Sequence, residues 1–195
     1  MGYKDEMLNK LIMFLAGIVV ISIVVRGVVD SGFFVPKVYK GKGYIFDIPE
    51  GWKKSEELSG VTRSEDGQTE TETVVYLAPE NNVLTGVPVA MISVVAITSP
   101  RAIWIEDEFG EILRYIQGSG YRILDTGARK VDTAYARWVL FIDRTDTWMT
   151  LEYYFVPESG VLHKMVYSAY ADSFKKYVRN FEKVRKSFKF FFSLF

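Results

Sequence analysis

The sequence contains no cysteine among its 195 residues. Disulfide bonds, thiolate nucleophiles, iron–sulfur clusters and cysteine-based zinc sites are therefore excluded. Histidine occurs once, as His163, and a lone imidazole makes a poor metal site unless carboxylates complete it. The chain also lacks the glycine-rich phosphate-binding motif, the dinucleotide-binding motif and the H-E-x-x-H zinc motif. We therefore predict no catalytic residue, no metal and no cofactor, and thus a protein that is not an enzyme.

The chain lacks a net charge of either sign, because 24 lysine and arginine residues balance 24 aspartate and glutamate residues. A nucleic-acid-binding domain normally carries a basic excess. We therefore predict no nucleic-acid partner.

One long uncharged apolar run is present near the start of the chain, over residues 11–25 (LIMFLAGIVVISIVV). With its flanks it extends over residues 8–29, which as a helix would span about 33 Å, enough to cross a bilayer. Lys10 and Arg26 lie near its ends, where long basic side chains reach the lipid headgroups. The run therefore predicts a single transmembrane helix over residues 8–29.

A cleaved signal peptide and a buried core helix are the alternatives for this run. Its length also suits a signal peptide, but the only tolerable cleavage pattern, at residues 29–31, is poor because it contains Asp30. A core helix would carry an apolar stripe, whereas this run is apolar all round. The predicted organisation is then a tail over residues 1–7, the transmembrane helix, a connector over residues 30–42 and a domain over residues 43–195.

The orientation of such an anchor depends on the charges that flank it. Lysines and arginines are more numerous after the run than before it, which favours a cytoplasmic domain. Long domains, however, translocate largely regardless of flanking charge. We predict membrane lipid as the partner of residues 8–29, with a cytoplasmic N-terminus and an extracytoplasmic domain.

Hydrophobic periodicity predicts the elements of the domain. Apolar residues at helical spacing predict helices over residues 105–116 and 174–188. We expect Ser99 or Pro100 to begin the first helix and Asp172 to cap the second. Consecutive strands favour an antiparallel sheet with helices packed on it, an α+β fold. The predicted strands cover residues 44–48, 58–66, 71–77, 88–98, 121–124, 133–143, 147–156 and 161–170.

Two segments carry a resemblance to a known fold family. Residues 43–52 (GYIFDIPEGW) combine an alternating aromatic strand with proline and tryptophan, and the last predicted helix ends in residues 186–190 (KSFKF). With these motifs the chain resembles the PsbP-like fold family, which also includes the yeast Ran-binding protein of the Mog type and bacterial DcrB-like lipoproteins. The resemblance implies an α/β/α sandwich around a central antiparallel sheet. It also implies a non-enzymatic accessory or binding protein, often one at a membrane-bound complex.

Structural explanations are available for His163 and for the acidic residues of the first helix. His163 lies in a predicted strand among apolar neighbours, which is typical of a structural residue, and no nucleophile can be paired with it without geometry. Acidic residues at the start of the first helix favour its dipole, and a cation site or a site for a basic partner is the alternative. These acidic residues are Glu106, Asp107, Glu108 and Glu111.

Basic residues crowd the last predicted helix, and aromatic residues follow it. A solvated helix face is one explanation. The other is a surface for anionic lipid or an acidic partner, since each basic residue near an anionic membrane contributes about 1 kcal/mol. The aromatic tail either packs on its own sheet or docks on a partner or lipid. The candidate partner-binding or membrane-binding residues are Lys175, Lys176, Arg179, Lys183, Arg185, Lys186, Lys189, Phe191, Phe192 and Phe195.

These observations predict a non-catalytic, membrane-anchored accessory or assembly protein. Its PsbP-like domain would bind a partner protein or membrane complex at the bilayer surface. The alternatives are a small-ligand or lipid-binding carrier with an apolar pocket between sheet and helix, and a hydrolase built around His163.

Overall fold

The computed structural model describes residues 37–100, 104–157 and 160–191. Residues 38–195 form one compact unit. Neither helix in the described ranges combines the length and hydropathy needed to cross a lipid bilayer. The predicted tail, transmembrane helix and most of the connector lie outside the described residues, so the membrane anchor stays a prediction.

Eleven strands and two helices are present in the described residues. The first six strands are β1 (Val38–Lys40), β2 (Tyr44–Asp47), β3 (Lys53–Lys54), β4 (Gly60–Arg63), β5 (Glu70–Leu77) and β6 (Ala90–Thr98). Helix α1 (Ile105–Gly118) follows, and then β7 (Arg122–Val131), β8 (Ala134–Ile142), β9 (Trp148–Phe155) and β10 (Leu162–Tyr170). The last elements are α2 (Phe174–Ser187) and β11 (Lys189–Phe190).

The larger sheet has the strand order β3-β5-β6-β10-β9-β8-β7, with β4 also paired to β5. Every pair of neighbours in it is antiparallel. A smaller antiparallel sheet has the order β1-β2-β11. The predicted α+β fold with a large antiparallel sheet is confirmed. Strand β1 falls within the segment predicted as connector, and it pairs with β2 at the start of the compact unit.

The two helices pack on opposite faces of the large sheet. Two neighbouring residues of β9 show this, since successive side chains of a strand point to opposite sides of the sheet. On β9, Tyr153 belongs to the core beneath α2, where its ring centroid lies 5.8 Å from that of Phe181. Tyr154, the next residue, belongs to the smaller core beneath α1 together with Phe109. The layers are therefore helix, sheet and helix, which is the arrangement that the family resemblance implied.

Both helices begin later than the capping signals predict. The N-cap of α1 is Trp104 and not Ser99 or Pro100, and that of α2 is Ser173 and not Asp172. Neither N-cap side chain makes a capping hydrogen bond. Tertiary packing of an amphipathic face supplies most helical stability in proteins, so burial of an apolar face outweighs the capping preference here.

Strand β7 is much longer than the predicted strand over residues 121–124. Its later residues are mostly polar and exposed, so they show no apolar alternation. They pair with β8 through a hairpin that turns at Asp132, whose φ of 50° lies in the left-handed region. Because the backbone supplies the ladder hydrogen bonds, the hairpin extends the strand without an apolar pattern.

Candidate binding surface

Four of the predicted basic residues line the outer face of α2 and form what we call the basic stripe: Lys175, Arg179, Lys183 and Lys186. They are four, four and three positions apart, and this spacing places them on one side of a helix. All four are exposed, and none forms an ion pair with another residue of the described ranges. The stripe is about 16 Å long, at 1.5 Å per residue.

The opposite face of α2 explains why the stripe points outward. Phe174, Tyr177, Phe181 and Val184 recur at helical spacing and are buried against the sheet. A helix with one apolar face turns its polar face to solvent. The sequence pattern therefore correctly predicts both the helix and the exposure of its basic side.

Two other predicted lysines are held by acidic side chains of the same chain. Lys176 donates to Glu80, and this hydrogen bond lowers the pKa of the Glu80 carboxyl below its usual range. The Nζ of Lys189 lies 3.0 Å from Oδ1 of Asp132. Both lysines are exposed, but an acidic partner offsets each charge, so the basic stripe carries the unpaired charge of this surface.

Arg185 is buried, with 9% of its surface exposed. Its guanidinium donates to Oε2 of Glu182 at 2.8 Å and to the carbonyl oxygen of Lys130 at 3.3 Å. The guanidinium carbon also lies 6.0 Å from the centroid of the Tyr153 ring. Arg185 therefore ties α2 to the sheet, and its side chain is not presented to a partner in this conformation.

The aromatic tail packs on the domain as far as it is described. Phe190 pairs with Tyr44 in the small sheet, and Phe191 donates its backbone N–H to the carbonyl of Gly43 at 3.0 Å. Lys40 places its Nζ 5.2 Å from the Phe191 ring centroid. The candidate residues Phe192 and Phe195 lie outside the described residues, so their role stays a prediction.

His163 lies inside the core beneath α2 and is 2% exposed. Its Nδ1 is 3.0 Å from the carbonyl oxygen of Val161. Aromatic rings surround the imidazole, with centroids 5.6 Å away for Phe155 and 5.2 Å away for Phe190. Burial lowers the pKa of His163 to about 4, so the ring is neutral at pH 7. This environment supports the interpretation of His163 as a structural residue.

A buried carboxylate on the α1 side of the sheet had no sequence signal of its own. Glu152 on β9 is 7% exposed. It accepts a hydrogen bond from Tyr154, and Nζ of Lys164 on the neighbouring strand lies 2.7 Å from its Oε1. A buried charge needs such partners to offset its desolvation. Strand pairing brings Lys164 next to Glu152, and the sequence alone shows only that each is a charged residue in an apolar strand.

One of the acidic residues at the start of α1 helps to hold this helix on the sheet. Oε2 of Glu106 lies 2.9 Å from Nη1 of Arg137 on β8, and the guanidinium of Arg137 lies 4.8 Å from the Phe109 ring centroid. Across the described ranges, no three histidine, aspartate or glutamate side chains are grouped so as to hold a metal ion. The predicted absence of a metal in the protein as a whole stays a prediction.

The space between the sheet and α2 is occupied by aromatic side chains in mutual contact. The rings of Tyr167 on β10 and Phe181 on α2 stack with centroids 5.7 Å apart. Those of Tyr167 and Phe174 lie 4.8 Å apart, and all three residues are buried. This packing gives no support to an apolar ligand pocket at that interface.

No protein-family model and no curated protein matches this chain. Several solved structures do, and three of them are described here. LpqN from Mycobacterium tuberculosis, a protein involved in cell envelope biogenesis, matches with a TM-score of 0.51 and 10% identity, over 78% of this chain and 91% of LpqN. The cyanobacterial PsbP of Synechocystis matches with a TM-score of 0.43 and 17% identity, over 80% and 92% of the two chains. The Saccharomyces cerevisiae Ran-binding protein Mog1p matches with a TM-score of 0.48 and 12% identity, over 80% and 95%.

These likenesses concern the fold alone, because all three identities are below 20%. The match to LpqN shows that the described domain shares its overall fold with a solved protein. The other two proteins belong to groups that the sequence resemblance named, and at TM-scores below 0.5 they add nothing to the fold assignment.

Proposed function

We propose that this protein is a non-catalytic, membrane-anchored accessory or assembly protein whose domain binds a partner protein or membrane complex at the bilayer surface. The basic stripe is the observation that carries the proposal. Its four cations lie on one exposed helix face without an acidic partner among the described residues. Such a row of like charges suits an acidic surface, because complementary potentials steer association and fix its orientation.

Membrane attachment through residues 8–29 is part of the same proposal. The length and uniform apolar character of this run support it. We propose further that the N-terminus is cytoplasmic and the domain extracytoplasmic. A domain held in this way meets its partner at a high effective concentration, so a moderate affinity of the basic stripe is sufficient.

A non-catalytic role has support from His163. Its ring is enclosed by aromatic side chains and only 2% of the residue is exposed. A general base must come within hydrogen-bond reach of the proton that it removes. The burial of His163 therefore weighs against the hydrolase hypothesis, and retention of any measured activity by His163→Ala would dispose of it.

Charge reversal within the full chain tests the proposal. In Lys183→Glu/Lys186→Glu, repulsion replaces attraction at the partner surface, and we expect recovery of the co-purifying partner to fall by about tenfold or more. Recovery is measured by gentle detergent extraction, size-exclusion chromatography and mass spectrometry. Lys53→Glu/Lys54→Glu is the control, because it makes the same change of charge at two exposed lysines of β3 and also removes the ion pair between Lys54 and Glu56.

The salt concentration provides a second measurement on the unaltered protein. At physiological ionic strength, exposed charges more than about 8 Å apart are largely screened from one another, and added salt shortens this distance. Recovery of the partner should therefore fall as salt is added. A wild-type chain that always elutes as a lone monomer would contradict the proposal. Equal losses in the stripe variant and the β3 variant would remove the basic stripe from it.

A further inference from the structure

The loop between β5 and β6 carries, near its middle, two almost fully exposed apolar side chains, which we call the apolar tip: Val83 and Leu84. Val83 is 98% exposed and Leu84 is 94% exposed. Single exposed apolar residues are ordinary on protein surfaces, whereas larger contiguous apolar patches mark sites of contact with proteins or membranes. Val87, at 45% exposure, enlarges the same apolar surface.

Hydrogen bonds of the loop hold the apolar tip outward. The side-chain oxygen of Asn82 accepts the backbone N–H groups of Leu84 at 2.9 Å and Thr85 at 3.2 Å. The backbone of Asn82 accepts from the N–H of Gly86 and donates to the carbonyl of Val87, each at 2.8 Å. The exposure of the two side chains is therefore built into a closed turn, and folding them back would break these bonds.

The surroundings of the apolar tip suit the boundary between water and lipid. Residues 81–88 carry no charged side chain, so their entry into the headgroup region desolvates no ion. Behind the tip, the Thr85 hydroxyl lies 3.3 Å from the Tyr170 hydroxyl, and the Tyr170 ring lies 4.4 Å from that of Trp148. Tyrosine and tryptophan are enriched at membrane interfaces because each joins an apolar ring to a polar group.

The path of the chain leads to the end of the domain that carries the apolar tip. Strand β1 begins at Val38, opposite Asp47 at the end of β2. From Asp47 the chain continues into the turn at Gly51, where a Cβ would lie 3.8 Å from Pro79, near the start of the loop. Residues 30–37 can span about 29 Å at most when extended. A bilayer that holds residues 8–29 is therefore within reach of this end.

We infer that the apolar tip inserts into the lipid bilayer and gives the tethered domain a second contact with the membrane. The inference rests on the proposed attachment through residues 8–29. Burial of a valine and a leucine in acyl chains is favourable, and attachment through residues 8–29 keeps the apolar tip at a high effective concentration near the lipid. Insertion would fix the orientation of the domain relative to the bilayer. It would thereby fix the direction in which the basic stripe faces its partner.

Fluorescence in reconstituted vesicles tests the insertion on the full chain. Because the chain has no cysteine, Leu84→Cys accepts a single environment-sensitive label. In vesicles of phosphatidylcholine and phosphatidylglycerol we expect blue-shifted emission, loss of quenching by aqueous iodide, and quenching by brominated lipid. In the Val83→Ser/Leu84→Ser background, a label at Val87→Cys should lose the blue shift that it shows in the unaltered loop.

A label at Tyr135→Cys is the matched control. Tyr135 is 62% exposed and lies at the start of β8. The loop with the apolar tip leads into β6 at Ala90, which the strand pairings place level with the other end of β8, at Ile142. This label should stay accessible to iodide. If the label at residue 84 is as accessible as the control, the apolar tip does not insert and the inference is overturned.

Flotation of the same vesicles after carbonate treatment separates this inference from the proposed function. A chain that floats with an iodide-accessible label at residue 84 keeps its membrane anchor but has no inserting tip. A chain that does not float contradicts both proposals. Shielding of the label in native membranes but not in pure lipid would show that a protein covers the tip, which also overturns insertion into lipid.

Discussion

Burial of one ionisable side chain makes the stability of this fold depend on pH. Desolvation lowers the pKa of His163 from 6.5 to about 4 in the folded state. Between these values the unfolded chain binds a proton that the folded chain does not, so the free energy of unfolding falls as the pH falls. The contribution is fully present above pH 6.5 and lost by about pH 4, and it amounts to about 3 kcal/mol.

Replacement of His163 by phenylalanine should therefore flatten this part of the stability profile. We expect His163→Phe to lose less stability than the wild type between pH 7 and pH 5, because phenylalanine takes up no proton. At pH 7 the variant should be less stable than the wild type, because the contact between Nδ1 and the carbonyl of Val161 is lost. Urea denaturation at both pH values measures the difference, and equal slopes in the two proteins would contradict the assignment.

Strand β7 depends on a close approach between Gly127 and the strand beside it. Gly127 pairs directly with Trp138 of β8, and a Cβ on Gly127 would lie 2.7 Å from an atom of the Trp138 ring. We expect Gly127→Ala to lower the free energy of unfolding by about 1–3 kcal/mol, the usual cost of overpacking. Urea denaturation measures this loss, and hydrogen exchange should show it at the β7 amides.

Gly60→Ala on β4 is the control for this substitution. A Cβ at Gly60 would meet no atom within 4 Å, so alanine there should change stability by much less. If both variants lose the same free energy, the loss reflects the removal of a glycine and not contact with Trp138.

The whole chain concentrates apolar residues both in the core of residues 38–195 and in the run over residues 8–29. We expect the native protein to keep residues 8–29 and to stay with membranes through high salt and carbonate, because a transmembrane helix is not released by either. Mass spectrometry of the extracted protein identifies its first residue. Mature protein that begins after Ser31 and leaves the membrane in salt would exclude the anchor. A peripheral protein from the same membranes is the control and should be released by the salt and carbonate washes.

Much of the fold could be predicted from the local periodicity of apolar residues. The alternation in β6 and β10 and the apolar face of α2 each report which side of an element is buried, so they can be read from neighbouring residues. The α+β class and the outward face of the basic stripe follow from such patterns. The polar second half of β7 cannot be predicted from such patterns, because its pairing comes from a hairpin and not from burial.

The sequence by itself determined the strand and helix types, the antiparallel sheet and the charge of the last helix, since these depend on residues close together in the chain. Tertiary structure alone decided that Arg185 is buried, because its partners include the Lys130 carbonyl from another strand. It also decided that Lys164 reaches the buried carboxylate of Glu152 and that Val83 stays outside the core. Charge and hydropathy describe a residue's preference, whereas burial depends on which distant segments the fold brings against it.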